Sequence, residues 1–111
     1  MSRDKLEELK KHVNSQVTRT IPGFLSFLGV LCRVRYGVDP VSLLFSSPSN
    51  LYAVLLMHYR GDVNTADYAF TIAFINPIVN YLKKPELTML LLELVKTGRI
   101  KEFLDLLAEH L

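Results

Sequence analysis

Prolines and glycines punctuate this chain so often that little except short helices can fit between them. Pro22 follows Thr20-Ile21, Pro40 follows Asp39, Pro48 follows Ser47, and Pro85 sits between Lys84 and Glu86. A proline in a first turn surrenders an N–H that has no helical partner anyway, and Asp, Ser or Thr just before it caps the exposed donors. Gly37, Gly61 and Gly98 supply the matching stops, because glycine takes the left-handed C-terminal cap without steric cost. The grammar predicts helices over 3–17, from about Pro22 to Tyr36, a short turn from Pro40 through Phe45, and Pro48 to about Arg60. It continues with Ala66–Ile75 after caps at Asp62 or Asn64, Glu86–Thr97, and Arg99–Leu111. Asn76-Pro77 is expected to interrupt the helix before it, with a kink or a fresh start running to about Lys83, since an internal proline removes a donor and crowds the preceding turn. No segment shows the two-residue alternation or the Asn-Gly and Asp-Gly turns of hairpins. The fold class expected is all-α, a compact bundle of about six or seven short helices over a single domain, residues 1–111, ending in an antiparallel helical hairpin across Gly98.

Reading which faces are apolar divides these helices into two kinds. Leu6, Leu9, Val13 and Val17 make one narrow stripe, and Ile100, Phe103, Leu104, Leu107 and Leu111 make another opposite Glu102, Asp105 and Glu109. Both belong to surface helices. Ala66–Ile75 is apolar nearly all round, which marks it as the central helix, and Met89–Val95 and Phe24–Val34 are similar. Two readings of those three helices stand. Either the bundle buries them all, or an obligate partner, most simply a second copy in a two-fold arrangement, covers part of them.

Composition sharpens that choice. Half of the 111 residues are apolar while 22% are charged, a large apolar share for a domain of 12.7 kDa. Scaling laws give such a chain roughly 6,200 Å² of folded surface against roughly 18,000 Å² unfolded, enough burial for one core without disulfides. The longest uncharged stretches, Ile21–Cys32 and Tyr68–Leu82, hold 12 and 15 residues and fall short of the roughly 18 that suggest a membrane span. With no signal-like run in the first 20 residues and one cysteine, a cytoplasmic location is expected. Net charge is +2, but unevenly placed: three cations and one carboxylate over residues 21–61, three cations and five carboxylates over 85–111. That asymmetry favours head-to-tail or antiparallel contacts between copies.

Residues able to carry chemistry do not assemble into a signature. His12, His58 and His110 lie far apart, none with a second ligand at metal spacing, and His12 and His110 are expected to be solvated. His58 near a helix carboxyl end is accounted for by the helix dipole. Cys32 precedes Arg33 and Arg35, which would activate a thiol, but its apolar neighbours favour a buried hydrophobe. There is no phosphate-binding glycine loop, no serine elbow and no distinctive carboxylate pair. Neither an enzyme nor a cofactor is expected. Lys10, Lys11, Arg19, Arg33, Arg35, Arg60, Lys83, Lys84, Arg99 and Lys101 are scattered, so nucleic-acid binding through a composite basic patch is the alternative function. The closing pair of helices resembles in pattern the helical-hairpin repeats of scaffolding proteins, over a quarter of the chain and without diagnostic positions.

What remains is a protein–protein interaction module, a homodimer or other homo-oligomer or a small subunit of a complex. Tyr52, Met57, Tyr59 and Arg60 come from one helix and are of types enriched at contact surfaces, so they form the candidate interface. Ordinary core aromatics are the competing reading of the same side chains.

Overall fold

The computed structural model describes residues 3–111, and within them the chain runs as seven helical rods with no strand. They are α1 (Arg3–Thr20), α2 (Phe24–Tyr36), α3 (Pro40–Ser46), α4 (Pro48–His58), a long rod made of α5 (Val63–Phe70), a π-helical turn (Thr71–Ile75) and α6 (Asn76–Leu82), then a 3₁₀ turn (Pro85–Leu87) leading into α7 (Thr88–Lys96), and α8 (Ile100–His110). The stop signals sit where the sequence puts them. Gly37 ends α2 at φ 73° with its N–H on the Arg33 carbonyl. Gly98 at φ 74° turns α7 into α8, the Arg99 N–H reaching back to the Leu94 carbonyl, and the two helices pack against each other across that turn. The first cap differs in detail: α2 begins at Phe24 rather than Pro22, after Gly23 in a left-handed conformation.

Asn76-Pro77 does interrupt the α-helix before it, α6 starting afresh at Asn76, but without ending the helical path. The backbone stays helical from Val63 to Leu82 because one wide turn precedes the proline, with the Asn76 N–H bonded to the Thr71 carbonyl five residues back. An extra residue in that turn makes room for the ring against the carbonyls beneath it, and proline has no N–H to leave orphaned. The same turn places Ala73, Phe74 and Ile75, three consecutive residues, at or below 1% exposure, followed by Ile78 and Val79. This rod is the axis of the core.

Other helices wrap it by burying one face each. α1 lays Leu9, Val13 and Val17 against α6 and the π turn. α4 contributes Leu51, Tyr52, Val54 and Leu55, α7 contributes Leu91, Leu94 and Val95, and α8 adds Phe103 and Leu107. Phe70 lies 5.4 Å from Phe74 and 5.8 Å from Tyr52, ring to ring, in tilted or edge-on geometry favourable for aromatic pairs. A surface of 6264 Å² and a radius of gyration of 12.9 Å match the roughly 6,200 Å² and roughly 13 Å expected of a compact monomer this size.

Between α2 and α4 the chain is steered by Asp39. Its carboxylate accepts the Ser42 N–H at 3.1 Å and the Ser42 hydroxyl at 2.6 Å, capping α3, which buries Pro40, Val41, Leu43, Leu44 and Phe45. Partial burial alone would raise the Asp39 pKa, but the Ser42 hydrogen bonds and the nearby Arg33 outweigh it and hold the carboxyl below the ordinary aspartate value. A carboxyl whose pKa is lower folded than unfolded stabilises the fold fully above the unfolded value and loses that contribution as pH falls below it. Asp39→Ala is therefore expected to cost about 1 kcal/mol in urea unfolding at pH 7. The deficit should shrink in the same titration at pH 3.

Candidate functional site

Of the three helices that are apolar nearly all round, α2 leaves its longest apolar stripe open. Only Leu28, Gly29 and Cys32 are buried along it, while Phe27, Val30 and Val34 are 42%, 64% and 82% exposed and Leu31 is half-buried. Phe27, Val30, Leu31 and Val34 are spaced i, i+3, i+4 and i+7, so they form one continuous stripe along the helix. α4 runs beside it. A groove of about 310 Å³ opens between the two, lined by Leu31, Val34 and Arg35 from α2 and Val54, Met57 and His58 from α4. The Phe27 and His58 rings meet edge to face at 4.7 Å and extend the apolar wall. Met57, 50% exposed, closes the far side, with an Arg35 N–H 3.1 Å from its sulfur.

The electrostatics of this groove are one-signed. Its lining holds Arg35 and His58 and no carboxylate, and Arg35 belongs to none of the ion pairs among the described residues. The sole acidic residue of the 21–61 stretch, Asp39, is committed to capping α3. Arg33, two residues before Arg35, faces a second, polar groove with Asn14, Thr18, Ser26 and Asp39, as their spacing on a helix requires.

The four residues singled out from the sequence part company in three dimensions. Met57 lines the groove. Arg60 is exposed just past α4, in a left-handed conformation with φ 57° beside Gly61. Tyr59 is half-buried, its ring 4.9 Å from His58 and packed on the core. Tyr52 is 8% exposed and offers a partner little surface; its hydroxyl donates to Asp67, which also pairs with Lys96 at 2.7 Å. Burial first, and then the hydrogen bond to the Asp67 carboxylate, raises the Tyr52 pKa well above the ordinary phenol value, so the hydroxyl keeps the proton it donates. The groove residues of α2 were not among those four. Their signal was present in the sequence as the apolar run Phe24–Val34.

Two other expectations meet the structure differently. Cys32 is fully buried, and burial, aided by Asp39 and only partly opposed by Arg33, raises its thiol pKa. His12 is not solvated: it is half-buried with its ring 5.1 Å from Tyr81, and its Nε2 is enclosed without a hydrogen-bond partner. The Tyr81 ring covers the side of α1 that a helical wheel would leave to water. Among the described residues no group of three or more His, Cys, Asp or Glu is placed to hold a metal ion, and no helix is long and apolar enough to cross a membrane. Comparison with known protein families, with curated proteins and with solved structures finds no match to this chain.

Two outcomes follow from these placements. Tyr52→Phe should cost about 1–2 kcal/mol by urea unfolding, since it leaves the Asp67 and Lys96 pair short of one donor, whereas Tyr52→Asp should abolish the fold. Cys32 should resist an aromatic disulfide reagent in the native protein and react at once in denaturant, because a buried thiol of raised pKa offers neither access nor thiolate.

Proposed function

We propose that this chain is a non-enzymatic helical interaction module that works by self-association through the apolar face of α2 and its groove with α4. The observation that carries this reading is the stripe Phe27, Val30, Leu31 and Val34, of which Phe27, Val30 and Val34 are exposed and Leu31 half-buried, so that apolar surface runs along two turns of α2. An i, i+3, i+4, i+7 set of apolar anchors beside a groove is the geometry by which amphipathic helices dock on one another. At about 310 Å³ the groove lies at the small end of ligand pockets, and Val34 and Met57 leave it open to solvent. Such a shape suits side chains of a docking helix better than an enclosed small molecule. A residue such as Val34, 82% exposed, contributes little to the monomer's stability, yet full burial of a valine is worth about 1.5–3 kcal/mol.

The alternative, nucleic-acid binding through a composite basic patch, draws less support. Lys10, Lys96, Arg99 and Lys101 are engaged with Glu7, Asp67, Glu102 and Asp105. Arg33 and Arg35 face different grooves.

Sedimentation equilibrium decides the matter. At tens of micromolar the chain should have a mass above 12.7 kDa, and Val34→Glu should return it to that value with the helical circular dichroism unchanged. A parent chain that sediments as a monomer rules out the proposal.

A further inference from the structure

The groove has a chemical requirement that the same molecule meets elsewhere: apolar side chains to enter it and negative charge to face Arg35. Nine large apolar residues are substantially exposed among the described residues: Phe27, Val30, Val34, Tyr36, Met57, Val63, Tyr68, Met89 and Leu90. The first five belong to α2, its end, or the groove itself. Val63 and Tyr68 lie on α5, whose nearby carboxylates are occupied, Asp62 by the Thr65 cap and Asp67 by Tyr52 and Lys96. Met89 and Leu90, 79% and 45% exposed, are different. Glu93 stands one turn after them on α7 and Glu86 one turn before, on the 3₁₀ lead-in, both exposed and neither in an ion pair among the described residues. Positions 86, 89, 90 and 93 are again i, i+3, i+4 and i+7, so two apolar side chains are bracketed by two free carboxylates on one outward face. The opposite face of α7, Leu91, Leu94 and Val95, is buried, which fixes this one outward.

We infer that the occupant of the α2–α4 groove is the α7 face of a second copy of this chain. Met89 and Leu90 enter between Val34 and Met57, and Glu93 or Glu86 meets Arg35. This inference rests on the self-association proposed above and specifies its geometry. The contact joins unlike surfaces, so it closes into a two-fold dimer only where both copies exchange α7 faces, and otherwise propagates head to tail. An α2-on-α2 dimer, by contrast, would bring together two apolar stripes whose only charged neighbours are arginines.

Complementation tests it. Val34→Glu places a negative charge in the groove and leaves the α7 face intact; Met89→Lys places a positive charge on the α7 face and leaves the groove intact. Each variant alone should associate at least tenfold more weakly than the parent by sedimentation or light scattering. A mixture of the two should form a 1:1 complex, since one unbroken groove meets one unbroken α7 face. On the charge pair, Arg35→Glu should weaken association and Arg35→Glu with Glu93→Arg in the same chain should restore it. If Val34→Glu dissociates the assembly while Met89→Lys assembles like the parent, the α7 assignment is overturned and the groove stands as the interface. If both variants are monomeric and their mixture remains monomeric, the α7 assignment is likewise overturned. A monomeric parent overturns it together with the proposed function. Both substituted side chains are largely solvent-exposed, and should either variant lose its helical circular dichroism, Val30→Glu and Glu93→Lys make the same comparison.

Discussion

Everything else in this fold is arranged around one wide helical turn. Without the π turn at Thr71–Ile75, Pro77 would end the rod near Asn76, and Phe70, Phe74, Ile78 and Val79 would not lie along a common axis. With it, a helix of twenty residues crosses the middle of a domain whose other helices are mostly shorter. That single axis gives α1, α4 and α7 one apolar surface to cover. α1, α4 and α7 make the most extensive contacts with that axis.

α2 is the helix left over. It packs mainly on α1, α3 and α4, with Leu28, Gly29 and Cys32 buried, and it meets the central rod where the Phe24 ring lies 6.2 Å from Phe74. Part of its remaining circumference, Phe27, Val30 and Val34, is apolar too. A monomer that keeps Val30 and Val34 in water carries an exposed stripe of the kind that marks a contact surface. Of the basic bias of residues 21–61 only Arg35 lies at the groove, while the carboxylates of 85–111 sit on α7, α8 and the 3₁₀ turn before α7.

How far the sequence could be read depended on whether a helix carries a phase. α1 and α8 alternate polar and apolar residues with a clear helical period, so their buried residues, Leu9, Val13 and Val17 or Phe103 and Leu107, were legible without a structure. The caps at Asp39, Asp62, Gly37 and Gly98 were legible for a similar reason, each being local chemistry between residues a few positions apart. α4 has no such phase. Leu51, Tyr52, Val54, Leu55, Leu56 and Met57 nearly encircle it, and nothing in their order says that Tyr52 turns inward to Asp67 while Met57 turns out to the groove. Tyr52 and Met57 were named together for a contact surface, and only one of them lies on it.

The sequence by itself determined that the fold is all-helical, roughly where most helices begin and end, and that several of them are apolar on most of their circumference. Those are properties of neighbouring residues and of totals. Tertiary structure alone decided which apolar helix stays uncovered, that Pro77 passes through a continuous rod, and that His12 is enclosed by Tyr81. Each of these depends on which surfaces reach the core first, and an all-apolar helix contains no local signal of its own orientation.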